Sequence, residues 1–265
     1  MMLNHFSYSA MSMFYRCGES FRRRYVEGEK LPPGIAQLRG TGFHGGAKVA
    51  DEYKIATREV MAQSHLRDAT AHAFDSALMS GGVLLGPDEL SRGKSVVVGE
   101  AKDSAIRLVD AWRDNIAPTY QPEFVEKRIE IRVPNVAPKL VGIVDLATED
   151  GVIVDRKTAS AAKGANDVKT SMQLTWYDVS YQALTGKRAK GVQLHEVVDT
   201  KTPQALIHES TRDDEDRRVL GKYIERAIEG ITTGRFLPAA PGSWNCAPRW
   251  CGYYSTCPYV REGQR

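Results

Sequence analysis

The sequence predicts a mixed α/β domain in which a central sheet is decorated by helices. Three observations carry that expectation. Apolar residues recur at helical spacing through the first 112 residues. From residue 124 to 158 the pattern switches to strand-like alternation and short apolar runs. A helix, two more strand-like runs and a final amphipathic helix follow.

Each element has its own local signal. Ala10, Phe14, Cys17 and Phe21 fall on one face of a helix over residues 9–26, which Ser7 or Ser9 can cap. Arg22, Arg23 and Arg24 suit its C-terminal end, and Leu31-Pro32-Pro33-Gly34 breaks the chain after it. Residues 42–112 read as mostly helical, with breaks at Gly81-Gly82 and near Gly86-Pro87. Ile129, Ile131 and Val133 alternate with Arg128, Glu130 and Arg132, as in a half-buried strand. Residues 140–147 and 152–158 are two further strands joined through Glu149-Asp150-Gly151. A helix over 169–184 precedes strands at 191–198 and 205–210. The last helix opens on Asp213, Asp214, Glu215 and Asp216, where the macrodipole favours acids. Its buried face is expected to hold Val219, Leu220, Tyr223, Ile224, Ala227, Ile228 and Ile231. From Gly234 onward the chain reads as loop, rich in Pro, Trp and Tyr.

Composition limits the function classes. With 265 residues, 42% hydrophobic and 26% charged, the chain can bury a sizeable core and is no disordered tail. Its 36 Lys and Arg against 33 Asp and Glu leave a net charge of +3, so any basic footprint has to be local. Met1 to Phe6 lack the charged and then apolar pattern of a secretory leader, and no apolar window is long enough to span a membrane. The expected compartment is therefore a reducing cytoplasm. There, four cysteines read as metal ligands before they read as disulfides.

The most informative stretch is Gly142-Ile143-Val144-Asp145 followed by Val152-Ile153-Val154-Asp155-Arg156-Lys157-Thr158. Two strands rich in Val and Ile carry acids within their apolar runs, and a buried carboxylate is costly unless paired, hydrogen-bonded or metal-bound. Asp155 and Lys157 share one strand face. Partners in a hairpin have a constant index sum, so Asp145 faces Asp155 only across a loop of odd length. A three-residue loop, Glu149-Asp150-Gly151 with Gly151 left-handed, or an equivalent bulge, is expected. Two facing carboxylates beside a lysine suit a hard cation, Mg²⁺ or Mn²⁺. Such an ion clamps a phosphate and acidifies a bound water, with Lys157 holding the nucleophile or neutralising charge. Standing alone, the Asp-x-Lys pair reads first as a buried ion pair that shapes the core.

Its neighbours alter that reading. Taken together, the chain resembles the PD-(D/E)XK nuclease superfamily, and within it the RecB-like and AddB-like exonucleases and related CRISPR-adaptation nucleases. The resemblance runs in order along nearly the whole chain. It comprises Ser7-Tyr8-Ser9 leading to Cys17, Gly40-Thr41-Gly42-Phe43-His44, the two acidic strands, Gln173-Leu174-Thr175-Trp176-Tyr177 and the late cysteines. It implies a restriction-endonuclease-like fold, a mixed central sheet flanked by helices with an N-terminal helical part. It also implies roles for the matching residues. Asp145, Asp155 and the backbone carbonyl of Arg156 would bind the catalytic metal, with His44 as a further ligand from a helix. Lys157 would act on the attacking water. Gln173 and Tyr177, on one helix face, would touch the scissile strand or orient Lys157.

Cys246, Cys251 and Cys257 lie within twelve residues, and Cys17 lies at the other end of the chain. Together they can supply the four ligands of an iron–sulfur cluster or a structural zinc. The resemblance favours a 4Fe–4S cluster that staples residues 1–30 to residues 236–265, with 40–118 mainly helical and 119–235 the nuclease core of a single domain. Two departures stand out: a C-x4-C-x5-C spacing where the family has C-x2-C-x5-C, and Gly18 where proline is common.

Gly40-x-Gly42-x-x-Gly45 matches a dinucleotide fingerprint but lacks the strand that should precede it. No P-loop is present, so any unwinding falls to a separate helicase or recombinase. Arg235, Arg249, Arg261 and Arg265 against Glu262, interleaved with Trp244, Trp250, Tyr253, Tyr254 and Tyr259, form a local basic and aromatic stretch that can stack bases or pack around the cluster. The expected function is a Mg²⁺- or Mn²⁺-dependent DNA exonuclease acting on single strands or free ends, in recombination or repair. A CRISPR-adaptation trimming nuclease and a non-catalytic nucleic-acid-binding subunit are the alternatives.

Overall fold

A computed structural model of the chain describes residues 3–133 and 138–261. Strand β1 (His5–Ser7) leads into α1 (Tyr8–Arg16), and the Ser7 Oγ caps α1 by accepting the Ala10 N–H at 3.3 Å. The chain does not continue as one helix to residue 26. Cys17 is extended at φ −162°, and a short α2 (Gly18–Phe21) and a wide turn at Arg22–Val26 follow. Arg22 pairs with Glu19 and Glu27, and Arg23 pairs with Glu29.

Helix α3 (Ile35–Thr57) begins before the glycine motif and runs through it. Glycines 42, 45 and 46 face α4 (Gln63–Gly81) so closely that an added Cβ would stand 2.0–3.0 Å from Phe74, Ala73 and Thr70. Packing between helices, not phosphate binding, explains these glycines. A break after Arg58, left-handed at φ 68°, was not foreseen from the sequence. Helices α5 (Pro87–Ser91) and α6 (Lys94–Asn115) complete the helical part.

The sheet holds β2 (Pro122–Ile131), β3 (Lys139–Thr148), β4 (Val152–Ala159), β5 (Gly191–Val198) and β6 (Gln204–Ser210) together with β1. The helices α7 (Ala165–Lys169), α8 (Met172–Thr185) and α9 (Asp214–Thr232) surround it. The helix expected at 169–184 is α8, which starts three residues later where the Ser171 Oγ caps it, and the short α7 precedes it. Parallel β1–β3 and β4–β5 pairs join antiparallel β2–β3, β3–β4 and β5–β6 pairs, a mixed sheet of restriction-endonuclease-like type. One face of the sheet buries Phe6, Ile153, Trp176, Leu194, Leu220 and Ile231 with α1, α8 and α9. Phe43, Leu66, Leu108, Trp112 and Val197 pack with α3, α4 and α6. Asp213 and Asp216 cap α9 reciprocally, and Tyr223, expected inside, is exposed.

Strand β3 organises the site. One edge pairs with β2 along its length. The other edge pairs with β1 at residues 139–141 and with β4 only at Leu146 and Ala147. Residues 142–145 therefore stand in a gap between β1 and β4. The β3–β4 loop is the three-residue Glu149-Asp150-Gly151, with Gly151 at φ +84°. The register Leu146 to Val154 carries Asp145 opposite Asp155.

Candidate active site

The gap opens into a groove of about 750 Å³ bounded by β1, α3, β2, β3, the end of β4 and α8. Its walls include Tyr8, His44, Glu126, Asp145, Lys157, Gln173 and Tyr177. Past Leu146 and Val154 the backbone ladder ends. The Arg156 N–H turns instead to the Asp145 carboxylate, donating to Oδ2 at 2.9 Å. The same carboxylate accepts from the Tyr177 hydroxyl at 3.4 Å, and Gln173 Nε2 donates to the Tyr177 oxygen at 3.1 Å. Gln173 and Tyr177 are thus directed at Asp145 and not at Lys157. Gly142 allows this approach of α8: an added Cβ would stand 2.5 Å from the Ser180 Oγ and 3.2 Å from the Trp176 Nε1.

Asp155 and Lys157 form a pair, Nζ donating to Oδ1 at 2.9 Å. Burial disfavours the Lys157 ammonium, but the Asp155 and Asp145 carboxylates outweigh it and hold its pKa above the ordinary lysine value. Burial, opposed by Lys157 and reinforced by Asp145, pushes Asp155 up to about 6. His44 extends from α3 until its Nδ1 stands 3.7 Å from Asp145 Oδ2. Burial lowers its pKa, so the imidazole is neutral at pH 7. The Arg156 backbone stands close enough to His44 to act on its titration, and a neutral imidazole keeps one ring nitrogen as an acceptor.

The sequence reading missed Glu126. Its Oε1 is 4.0 Å from His44 Nδ1, and ligand atoms of His44, Glu126 and Asp145 lie within 4.8 Å of one another. That group could hold a metal; Asp155 stands outside it, engaged with Lys157. Strand alternation places Glu126 on the face of Arg128, which also lines the groove. Its backbone is left-handed at φ 47°, an uncommon state for a non-glycine residue. The register that pairs Val125 with Leu146 and Lys127 with Val144 carries Glu126 opposite Asp145. Like charges directly across a ladder repel and call for a cation.

Burial, then the Asp145 charge, pushes the Glu126 pKa from 4.5 up to about 7. A carboxyl held above its unfolded value favours the fold at low pH and loses that advantage as pH rises through about 7. In EDTA, Glu126→Gln is therefore expected to stabilise the protein at about pH 8 by about 1–3 kcal/mol and to leave it unchanged near pH 4. Thermal melts at the two pH values measure this; equal melting temperatures for parent and variant at pH 8 would contradict it.

The four cysteines form no disulfide. The tail meets the first helices directly: the Gly18 N–H donates to the Leu237 carbonyl at 2.6 Å, and Phe21 stacks on Phe236. Proline at position 18 would lose that donor, and an added Cβ would meet Leu237 at 2.7 Å, which accounts for the glycine. Tyr253 donates to the Glu29 carbonyl beneath the Arg23 guanidinium. The Cys246 thiol feels those of Cys257 and Cys17, and the Cys251 thiol feels Ser20, Cys17 and Cys257. Among the described residues, no three thiols lie within 4.8 Å of one another. Trp244, Trp250 and Tyr259 are exposed, and Arg249 lies over the Trp250 ring. Glu262 and Arg265 lie outside the described residues. Among the described residues, no helix is long and apolar enough to cross a membrane.

The family model of the PD-(D/E)XK nuclease superfamily matches residues 5–258. None of the curated protein sequences matches the chain. Among solved structures, a protein from Eubacterium rectale provisionally assigned as an exonuclease is similar, with a TM-score of 0.60 and 13% identity over 98% of this chain and 90% of that one. A crystal structure of SSO0001 is similar at a TM-score of 0.45 and 15% identity, covering 98% of this chain and 89% of that one. At these identities the likeness concerns the fold.

Proposed function

The chain belongs to the PD-(D/E)XK nuclease superfamily, and from that premise we propose that it is a metal-dependent deoxyribonuclease, an exonuclease acting on single strands or free DNA ends. The observation that carries this reading is the meeting of Asp145, Glu126 and His44 beside the Asp155–Lys157 pair in one open groove.

The residues fit a divalent ion. Oxygen donors with one neutral imidazole suit Mg²⁺ or Mn²⁺. The raised pKa values of Glu126 and Asp155 mark a pocket short of positive charge. Asp145, Glu126 and His44 would hold the ion, and the family resemblance adds Asp155, once released from Lys157, and the Arg156 carbonyl. When bound, the ion supplies a water of lowered pKa and a clamp on a phosphate oxygen. The chain's own residues do the rest. Tyr177, backed by Gln173, orients the Asp145 carboxylate. Lys157, kept cationic by its acidic neighbours, orients the attacking water and offsets charge growing on the phosphate.

A preference for single strands or ends is supported by the exposed Trp244, Trp250 and Tyr259 with Arg249, which suit base stacking. A separate helicase or recombinase would open the duplex. End-labelled linear and closed circular single strands of one sequence test the mode. Degradation confined to the linear substrate is expected; equal loss of both would make the enzyme an endonuclease, and binding without cleavage would favour a non-catalytic subunit.

We also assign Cys17, Cys246, Cys251 and Cys257 to a structural 4Fe–4S cluster. A single zinc needs thiolates about 3.8 Å apart, as its Zn–S bonds of about 2.3 Å dictate. Thiols from both chain ends that act on one another's titration suit one shared group, which the family resemblance makes a 4Fe–4S cluster. Anaerobically purified protein is expected to be brown, and Cys17→Ser colourless. A colourless parent holding one zinc would remove the cluster and leave the nuclease assignment intact.

A further inference from the structure

Between the two site residues of β4, Arg156 sends its side chain to the opposite face of the sheet, where it is fully buried (0% exposed). There Nη2 pairs with Asp51 Oδ2. The Tyr120 hydroxyl donates to the other Asp51 oxygen at 2.7 Å. Lys54, one turn along α3 from Asp51, donates to the Ala117 and Tyr120 carbonyls and so fixes the segment bearing Tyr120. The guanidinium lies 5.5 Å from the Trp112 ring centroid.

The backbone of the same residue meets two members of the candidate metal group. Its N–H donates to Asp145, and its backbone stands against His44. His44 and Asp51 stand two turns apart on α3. Arg156 therefore ties β4 to α3 through its side chain, while its peptide holds Asp145 and stands against His44. Stability alone does not reward this arrangement. Arg156 Nε and Nη1 are buried without a hydrogen-bond partner among the described residues, and an apolar pair of similar volume commonly serves a fold as well.

We propose that Arg156, Asp51 and Tyr120 form a positioning unit that presets the metal pocket by fixing the β4 peptide against α3. The inference rests on the metal-site reading above. The test is Mn²⁺ affinity by calorimetry on the full chain, with thermal melts alongside. The double variant Asp51→Leu/Arg156→Met removes both charges together. It is expected to melt cooperatively and to bind Mn²⁺ on the order of 10- to 100-fold more weakly, as loss of groups that support metal ligands does. Tyr120→Phe, which deletes one hydrogen bond, is expected to weaken binding by about three-fold or more at nearly unchanged melting temperature. A merely structural pair would move the melting temperature and leave the affinity alone. Affinities of both variants within about twofold of the parent would overturn the inference; if the double variant does not fold, Tyr120→Phe decides by the same criterion. Asp145→Asn serves as the control. Should it bind Mn²⁺ as tightly as the parent, the metal-site reading fails; if it alone loses Mn²⁺, only the positioning role fails.

Discussion

Asp145→Asn is expected to slow DNA cleavage by on the order of 10³-fold or more and to remove measurable Mn²⁺ binding, while the EDTA-treated protein melts no lower than the parent. The carboxylate is the meeting point of the site: it accepts from the Arg156 N–H and from Tyr177, and faces His44 Nδ1 at 3.7 Å. Asparagine keeps one oxygen for the Arg156 N–H, so the local backbone has no reason to shift. What disappears is the charge, and that charge raises the pKa of both Glu126 and Asp155. Without a cation the substitution therefore relieves repulsion; with one it removes a ligand. Cleavage rate, calorimetry and a melt in EDTA together separate these effects. A variant that retains parental activity would contradict the assignment, whatever its stability.

Arg156→Met as a single change is expected to destabilise the fold by about 3–5 kcal/mol, because it takes the paired guanidinium from a buried Asp51 and leaves only the field of Lys54 to oppose its charge. Asp51 is 1% exposed, and burial already pushes its pKa up despite the guanidinium. Tyr120 still donates one hydrogen bond, which satisfies one oxygen and leaves the net charge. For a chain of this size the loss corresponds to a fall in melting temperature of roughly 6–20 °C. Its contrast with the milder Asp51→Leu/Arg156→Met pair is the diagnostic feature, since removing both charges together costs the Tyr120 hydroxyl its acceptor but strands no buried carboxylate. A single variant as stable as the double would mean that Asp51 is neutral in the fold.

The acidic hairpin was legible from index parity alone. Asp145 and Asp155 required an odd loop, and Glu149-Asp150-Gly151 with a left-handed glycine is the loop observed. The β5 strand and the acid-capped α9 were equally readable, because alternation and capping are local signals. Three features were not. Cys17 interrupts the first helix although Ala10, Phe14 and Phe21 keep its periodicity, since an extended residue between two helical turns leaves the apolar spacing nearly intact. Glu126 was hidden because it shares a strand face with the charged Arg128 and Glu130, and only the pairing of β2 with β3 brings that face onto Asp145. Arg156 gave no sign of its partner, because Asp51 is 105 residues away and its burial is a product of tertiary packing. Propensity and period report the neighbourhood along the chain; the groove is assembled across it.

The proposed chemistry stands or falls on metal-dependent hydrolysis in the groove between β1 and β4. The direct measurement is a time course of single-stranded DNA, labelled at either end, incubated with parent or Lys157→Ala in Mg²⁺, Mn²⁺ or EDTA. Parent protein is expected to shorten the strand with either metal and to stop in EDTA, and Lys157→Ala to be slower by about 10²- to 10⁴-fold. Cleavage that persists in EDTA, or a Lys157→Ala variant that digests DNA at the parental rate, would contradict the assignment of this site.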